Sequence, residues 1–258
     1  MQTVEIWNRY LRDFDALNSF ADYRACLAEL VALLDLRPGM TVLDAGSGTG
    51  NLTVLLTKTG AQAVGIDFSP EALSAHRHKD PDAMLLRASL EERLPFGDGV
   101  FDRVVCASVL FSLSADGVRT ALGEFARVLR PGGLLLVTAM RPGRSKLAVF
   151  ARHLRQLAAT RSPLRLLREC LGTAGALLRV YCCNRLLQGM RRHGRYRRFS
   201  RRDLVGAVCA AGFDRVEWRP TFGGSFQLVA ASKAGEPAGT QDPGNVPAGR
   251  TAACAFSS

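Results

Sequence analysis

Short runs of apolar residues alternate with longer amphipathic segments over residues 41–140, and this alternation predicts strands and helices in turn. The apolar runs that predict strands are residues 41–44, 63–67, 83–88, 101–107 and 134–139. Helices are predicted at residues 51–58, from Pro70 onward, and from Gly117 to Leu129. Continuously apolar strands separated by helices are typical of a parallel sheet that is covered on both faces.

The pattern returns after residue 200 and adds an antiparallel pair of strands. Ser200 and Asp203 have capping-box spacing at the start of a helix that is predicted to run to about Ala211. Residues 214–220 and 226–232 then have the pattern of two strands joined by a short turn. Strands connected this closely must be antiparallel. We therefore predict a doubly wound α/β fold whose sheet is mixed at one edge.

Composition divides the chain into four segments. Residues 1–36 are predicted to be N-terminal helices, and residues 37–140 together with 200–233 form the α/β domain. Residues 141–199 predict a basic helical insertion after the fifth strand. Residues 234–258 are rich in Gly, Pro, Ala and Thr, which predicts a disordered tail.

A glycine-rich segment after the first predicted strand carries the strongest chemical signal. It reads Asp44-Ala45-Gly46-Ser47-Gly48-Thr49-Gly50. Glycines at alternate positions let the backbone turn sharply and approach a ligand closely. The dinucleotide-binding pattern needs its third glycine three residues after the second, where this chain has Asn51. The carboxylate of Asp44 would repel a pyrophosphate and suits a ligand that carries an ammonium group.

A second carboxylate, Asp67, ends the second predicted strand seventeen residues after Gly50. A carboxylate at this place in an α/β fold can accept hydrogen bonds from both hydroxyls of a ribose. Taken with the glycine-rich segment, it predicts a ligand that contains a nucleoside.

Several segments now resemble the successive motifs of class I S-adenosylmethionine-dependent methyltransferases. They are DAGSGTG, GIDFS, LPFGDGVFDRVV and LGEFARVLRPGGLLLV, in the family's order and at its spacing. AAGFDRVEW (210–218) followed by FQLVAAS (226–232) resembles the family's closing hairpin. The resemblance covers about residues 20–140 and 198–233. It implies a Rossmann-like methyltransferase fold, with a seven-stranded sheet whose last strand is antiparallel. It also implies S-adenosyl-L-methionine as the cofactor and methyl transfer as the reaction.

The resemblance implies which residues bind the two ends of the cofactor. Asp44, Gly46 and Gly48 would line its methionine part. Asp67 would hold the ribose hydroxyls.

Residues from three further places in the chain would meet the adenine or another part of the cofactor. By the same resemblance, Phe68 would pack on the adenine face, Ser89 and Leu90 would flank its edge, and Cys106 would contact the cofactor through its backbone. Ser89 stands where the family often has Asp, which predicts looser recognition of the adenine amino group. Phe111 replaces a histidine that is common among the small-molecule members, which removes one candidate acid or base.

No catalytic side chain is assigned, because the methyl group of a sulfonium is already activated and the protein mainly aligns donor and acceptor. His76 and His78 fall near the end of the helix after the second strand, away from the expected methyl site. His153 and His193 lie in the insertion and are hypotheses for a base, although ordinary surface histidines are the simpler interpretation. The seven cysteines are irregularly spaced, so no metal site is predicted.

The charge of +11 is concentrated in one segment. Residues 141–202 hold 17 of the 34 Lys and Arg and only one acid, so this segment is near +16 and the remainder near −5. The interpretations, in order of preference, are a substrate lid with a solvated basic face, contact with an anionic membrane, and nucleic-acid binding. The last is disfavoured because the residues after the fourth strand, Cys106-Ala107-Ser108-Val109, lack the Pro-Pro-aromatic pattern of enzymes that methylate nucleobase amino groups.

The sequence therefore favours a methyltransferase that acts on a small lipophilic acceptor. An RNA methyltransferase and a cofactor-binding protein without activity are the alternatives. The N-terminal residues carry charges where a signal peptide needs an apolar stretch, so we expect a cytoplasmic location, peripheral to the membrane if the second interpretation of the insertion holds.

Overall fold

The computed structural model describes residues 15–19, 21–142 and 198–235. Most of the predicted insertion, the predicted tail after residue 235 and the first fourteen residues lie outside this range, so what we expect of them stays a prediction. In the described ranges, no helix is both long enough and apolar enough to cross a bilayer.

Within these residues the chain forms seven strands and five α-helices. The strands are β1 (Thr41–Ala45), β2 (Gln62–Asp67), β3 (Met84–Arg87), β4 (Phe101–Ala107), β5 (Leu129–Met140), β6 (Phe213–Thr221) and β7 (Phe226–Lys233). The helices are α1 (Ala21–Leu34), α2 (Thr53–Thr57), α3 (Pro70–Lys79), α4 (Ala115–Val128) and α5 (Arg201–Ala210). Short 3-10 turns lie at Asp15–Ser19, Leu110–Ser112 and Phe222–Gly224.

The seven strands form one sheet in the order β3-β2-β1-β4-β5-β7-β6. β1 to β5 are paired in parallel, and β7 lies antiparallel between β5 and β6. The predicted seven-stranded mixed sheet is thereby confirmed. The ends of β1 to β6 and the start of β7 share one edge, which we call the carboxyl edge, and ligands of open α/β sheets bind at this edge.

Helices cover both faces of the sheet, which explains the continuously apolar strands. On one face, α4 and α5 bury Leu122, Phe125 and Leu204 against the strands. On the other face, α1 buries Leu30 and Leu34, and its position agrees with the helices predicted within residues 1–36.

Local signals for helix starts are confirmed. The side chain of Ser69 accepts a hydrogen bond from the backbone N–H of Ala72 at 3.1 Å, and Pro70 opens α3. Ser200 and Asp203 form the predicted capping box, with each side chain accepting from the other residue's backbone N–H at 3.1 Å.

The predicted boundary between α4 and β5 is wrong. The sequence predicts a helix to Leu129 and a strand from residue 134, whereas α4 ends at Val128 and β5 begins at Leu129. Leu129 pairs with Phe101, and an irregular register lies between this pair and that of Arg103 with Leu134. Pairing with β4 therefore extends the strand through a segment whose Pro and Gly locally predict a turn.

Candidate active site

The glycine loop, residues 46–50, joins β1 to α2 at the carboxyl edge. Gly46, Gly48 and Gly50 have φ angles of +84°, +54° and +83°, a conformation that residues with a side chain rarely adopt. A Cβ on Gly46 would lie 2.4 Å from Cγ2 of Val109, which follows β4. The loops after β1 and β4 therefore pack directly against each other.

Asp67 connects the glycine loop to the end of β2. Its Oδ2 accepts a hydrogen bond from the backbone N–H of Gly48 at 3.0 Å, and its Oδ1 accepts from that of Ser69 at 2.9 Å. The residue is 8% exposed, and burial raises the pKa of its carboxyl while these donors oppose the rise. The backbone of Phe68 is a third donor to this carboxylate, which has about four acceptor sites and can therefore still accept from a ligand hydroxyl. The ribose role predicted for Asp67 fits this geometry and stays a prediction.

Asp44 lies at the end of β1, only 1% exposed. Its Oδ2 accepts a hydrogen bond from Thr53 Oγ1 on α2 at 2.6 Å. Burial raises the pKa of Asp44 to about 7, the Thr53 hydrogen bond opposes this rise, and the nearby charge of Asp67 adds to it. A positively charged group of a ligand would stabilise the ionised form of this carboxyl.

Residues predicted to meet the adenine lie after β2 and β3. Phe68 is half-buried, and its carbonyl accepts a hydrogen bond from Arg87 Nε at 3.2 Å. Ser89 is also half-buried, and its Oγ accepts from the backbone N–H of Glu91 at 3.2 Å. The side chain of Leu90 is part of the hydrophobic core, so only its backbone is available to a ligand.

Two residues near the end of β4 bear on the site: Cys106, which the sequence predicts, and Ser108, which it does not. Cys106 is fully buried, and burial raises the pKa of its thiol, which keeps the thiol protonated and unreactive. Two residues later, Ser108 has a φ of +61°, and its Oγ lies 3.2 Å from Thr138 Oγ1 of β5. A side-chain-bearing residue in this conformation is uncommon and often marks a functional site.

The N-terminal 3-10 turn packs on the glycine loop. Asp15 Oδ1 accepts hydrogen bonds from Thr49 Oγ1 at 2.7 Å and from Lys79 Nζ at 2.6 Å. Asn51 Oδ1 accepts from Asn18 Nδ2 at 2.9 Å and from the same Lys79 at 2.8 Å. The partners of Asp15 are 34 and 64 residues away in the chain, so no local pattern could have revealed this contact.

An aromatic cluster of Tyr23, Phe222 and Phe226 lies where β6 ends and β7 begins. The ring of Phe222 meets that of Tyr23 edge to face at 6.2 Å between centroids, and that of Phe226 at 5.1 Å. Phe222 has a φ of +49°. Burial raises the pKa of Tyr23, so its hydroxyl remains protonated and can donate a hydrogen bond but not act as a base.

Beside this cluster, two arginines lie on one indole ring. The guanidinium carbons of Arg141 and Arg201 are 5.5 and 4.7 Å from the ring centroid of Trp218. Trp218 Nε1 donates to Gln227 Oε1 at 2.9 Å, and Gln227 Nε2 donates to the carbonyl of Phe199 at 2.7 Å. Arg141 and Phe199 lie close to the two ends of the segment 143–197. The described residues that flank this segment therefore lie at this side of the carboxyl edge.

Comparison with known proteins identifies relatives over most of the chain. A family profile described as "Methyltransferase domain" matches residues 43–137. The demethylmenaquinone methyltransferase of Mycobacterium sp. (strain KMS) is 32% identical over 235 residues, which cover 90% of this chain and 94% of that protein. An uncharacterized methyltransferase of Synechocystis sp. is 39% identical over 110 residues, 42% of this chain, and the match spans about half (51%) of that relative's length.

Solved structures share the fold. The methyltransferase solved in complex with the Trm112 methyltransferase activator of Haloferax volcanii superposes with a TM-score of 0.60 at 16% identity, covering 88% of this chain and 97% of that one. The 1,6-didemethyltoxoflavin-N1-methyltransferase of Burkholderia thailandensis, solved with S-adenosylhomocysteine, has a TM-score of 0.53 at 18% identity, covering 87% and 88%. At these identities the likeness concerns the fold alone.

Proposed function

We propose that this chain, which belongs to the class I S-adenosylmethionine-dependent methyltransferases, passes the methyl group of that cofactor to a small lipophilic acceptor. The observation that carries the choice of acceptor is the similarity to demethylmenaquinone methyltransferases over 90% of the chain. This similarity extends well beyond residues 43–137, which the methyltransferase family profile matches. The name of those relatives specifies a lipid-soluble quinone as the acceptor.

The aromatic cluster supports this proposal. Tyr23, Phe222 and Phe226 are partly buried rings that pack on one another at the carboxyl edge, where we propose that the acceptor approaches the cofactor. Aromatic rings offer a large contact area to an apolar or planar molecule at a small cost in conformational entropy.

The reaction depends more on aligning the methyl donor with the acceptor than on acid–base catalysis. When bound, S-adenosylmethionine would supply an activated methyl group, which the acceptor would take in exchange for a proton released to water, with S-adenosylhomocysteine as the other product. We assign Asp44 to the amino group of the cofactor, Asp67 to the ribose hydroxyls, and the glycine loop to close contact with the cofactor backbone. Phe68, Ser89 and Leu90 would form the adenine side of this proposed site, and Cys106 would contact the cofactor through its backbone.

The basic segment 141–199 would bring the enzyme to an anionic membrane surface, from which a lipophilic acceptor can be drawn. What supports this step is the local charge of the sequence, with 17 basic residues and one acid over residues 141–202. It is independent of the methyl-transfer proposal, which would hold equally for an enzyme that meets its acceptor in solution.

Incubation of the purified full chain with deuteromethyl-labelled cofactor and separate lipid, metabolite and RNA extracts would test the acceptor. We expect mass spectrometry to find the label in a lipid-soluble product, and no label with the variant Gly48→Val. Label confined to RNA would instead establish the RNA methyltransferase alternative. Cofactor binding with no labelled product in any extract would support the alternative of a protein without activity.

A further inference from the structure

His76 lies under the glycine loop, on the buried face of α3. It is 0% exposed and follows the equally buried Ala72 by one helical turn. A Cβ on Gly50 would lie 2.2 Å from His76 Cδ2 and 2.5 Å from its Nε2. A Cβ on Gly65 of β2 would lie 3.1 Å from His76 Cε1. The imidazole therefore fills the space between the glycine loop and β2, which two glycines leave open.

Three buried polar atoms in this space lack hydrogen-bond partners among the described residues. Among the described residues, neither ring nitrogen of His76 has a hydrogen-bond partner, and neither does the buried Oγ of Ser47 in the glycine loop. Ser47 Oγ and His76 Cε1 lie 3.0 and 3.1 Å from the same point, the place that a Cβ on Gly65 would take. The serine hydroxyl and the imidazole thus face one small space without hydrogen-bonding to each other.

Packing does not explain a histidine at this position. Buried polar atoms without partners cost stability, and a leucine of similar volume would fill the same space without that cost. Burial lowers the pKa of His76 to about 4, so the imidazole is neutral at physiological pH and has one donor and one acceptor nitrogen. Residues that lower stability in this way are expected mainly where function requires them.

We propose that His76 is a positioning residue for the cofactor: when S-adenosylmethionine enters, the glycine loop shifts so that the Ser47 hydroxyl hydrogen-bonds to the imidazole. This bond would hold the loop in the conformation that contacts the cofactor. His76 touches the loop and not the reacting atoms, so its effect belongs to cofactor binding. The inference rests on the cofactor site and is independent of which acceptor is methylated.

The variant His76→Leu separates this role from packing, because stability and affinity should change in opposite directions. We expect the melting temperature of the cofactor-free full chain to rise, since the unpartnered nitrogens are removed. We expect the affinity for S-adenosylmethionine and for S-adenosylhomocysteine, measured by calorimetry, to fall about fivefold, the scale of one lost hydrogen bond. His78→Leu is the matched control, because His78 is exposed on the same helix and should change neither quantity.

Two single variants, Ser47→Ala and His76→Gln, keep the test decisive even if His76→Leu folds poorly, and a double variant sharpens it if His76→Leu folds. Ser47→Ala removes only the hydroxyl and should weaken cofactor binding by a similar factor, and His76→Gln, which keeps a donor and an acceptor, should recover part of the affinity. The double variant Ser47→Ala/His76→Leu should be no weaker than either single variant, because both remove the same bond. Unchanged affinity in Ser47→Ala, or additive losses in the double variant, would overturn the proposal. All of these readouts are binding measurements, so a failed search for the acceptor leaves them intact.

Discussion

The two halves of the carboxyl edge differ in the types of residue that form them. The half formed after β1, β2 and β4, which we call the cofactor half, consists of glycine backbone and two buried carboxylates, Asp44 and Asp67. The half formed by β5, β6 and the start of β7, which we call the acceptor half, consists of aromatic rings and arginines such as Arg141 and Arg201 on Trp218. One half is acidic and buried, and the other is basic and partly exposed.

Under the proposed function, this difference follows from what each half would recognise. The cofactor is one constant molecule with a positive sulfonium, so its half can use rigid backbone and carboxylates whose burial strengthens their electrostatic effect. The acceptor differs between enzymes of one fold, so its half is formed from side chains at the ends of strands, which can change without disturbing the sheet. Substitutions should therefore separate the two functions, with cofactor affinity controlled by one half and product yield by the other.

The largest effect is expected from Gly48→Val in the cofactor half. The φ of Gly48 is +54°, a conformation that is strongly unfavourable for a β-branched residue, and the new side chain would enter the cofactor space. We expect calorimetry to show S-adenosylmethionine affinity reduced by more than about a hundredfold. Gly123→Ala is the control, since Gly123 is exposed on α4 and a Cβ there would meet no described atom within 4 Å. A folded Gly48→Val protein with full affinity would contradict the assignment of the loop.

Asp67→Ala should have the next largest effect. It removes the charged acceptor proposed for the ribose and also the hydrogen bonds from Gly48 and Ser69. We expect cofactor binding to weaken by about 1–3 kcal/mol, the scale of lost hydrogen bonds to a charged group. Asp82→Ala, at an exposed aspartate beyond α3, should leave the affinity unchanged. An equal affinity in both variants would refute the ribose role.

The pH dependence of binding should report on Asp44. Its carboxyl has a pKa of about 7 in the folded protein, against an ordinary value of 3.8. A cationic ligand favours the ionised carboxyl. The affinity for S-adenosylmethionine should therefore rise by up to about tenfold per pH unit as the pH approaches 7 from below, and should be constant above pH 7.

The stability of the cofactor-free protein should move the other way. The folded state holds this proton more tightly than the unfolded state, so the stability that the protonated Asp44 contributes is fully present below about pH 4 and is lost as the pH rises through 7. Thr53→Val removes a hydrogen bond that lowers the pKa of Asp44. The pH at which the affinity for S-adenosylmethionine levels off should therefore be higher in this variant. Calorimetry and thermal melting over a pH series would measure both, and a pH-independent affinity would argue against a charged contact at Asp44.

The smallest effect is expected from Trp218→Ala in the acceptor half. Without the indole, Arg141 and Arg201 lose the ring that orients them, a contact of about 0.5–1 kcal/mol each at a partly exposed site. We expect the yield of labelled lipid-soluble product to fall a few-fold, with cofactor affinity unchanged. Arg37→Gln, exposed at the opposite edge of the sheet, serves as the charge control. If Trp218→Ala weakened cofactor binding as much as product formation, the separation of the two halves would be wrong.

Patterns within a few residues determined much of this protein by themselves. Apolar runs predict strands because both faces of the sheet are buried, and the acids that end β1 and β2 must lie together because parallel strands end at one edge. The structure does bring four predicted parts together at this edge: Asp44, the glycine loop, Asp67 and Cys106. This grouping could be predicted from the sequence alone. The ligand contacts assigned to them stay predictions.

Only the tertiary structure decided the contacts between residues that are distant in the chain. Pairing with β4 made Leu129 a strand residue, and packing brought Asp15 onto Thr49 and His76 under Gly50. The indole of Trp218 likewise meets Arg141 only because β7 and β6 lie beside β5. A sequence pattern reports the burial and turn chemistry of its own segment, whereas these contacts depend on the order of the strands and on which helix covers which face.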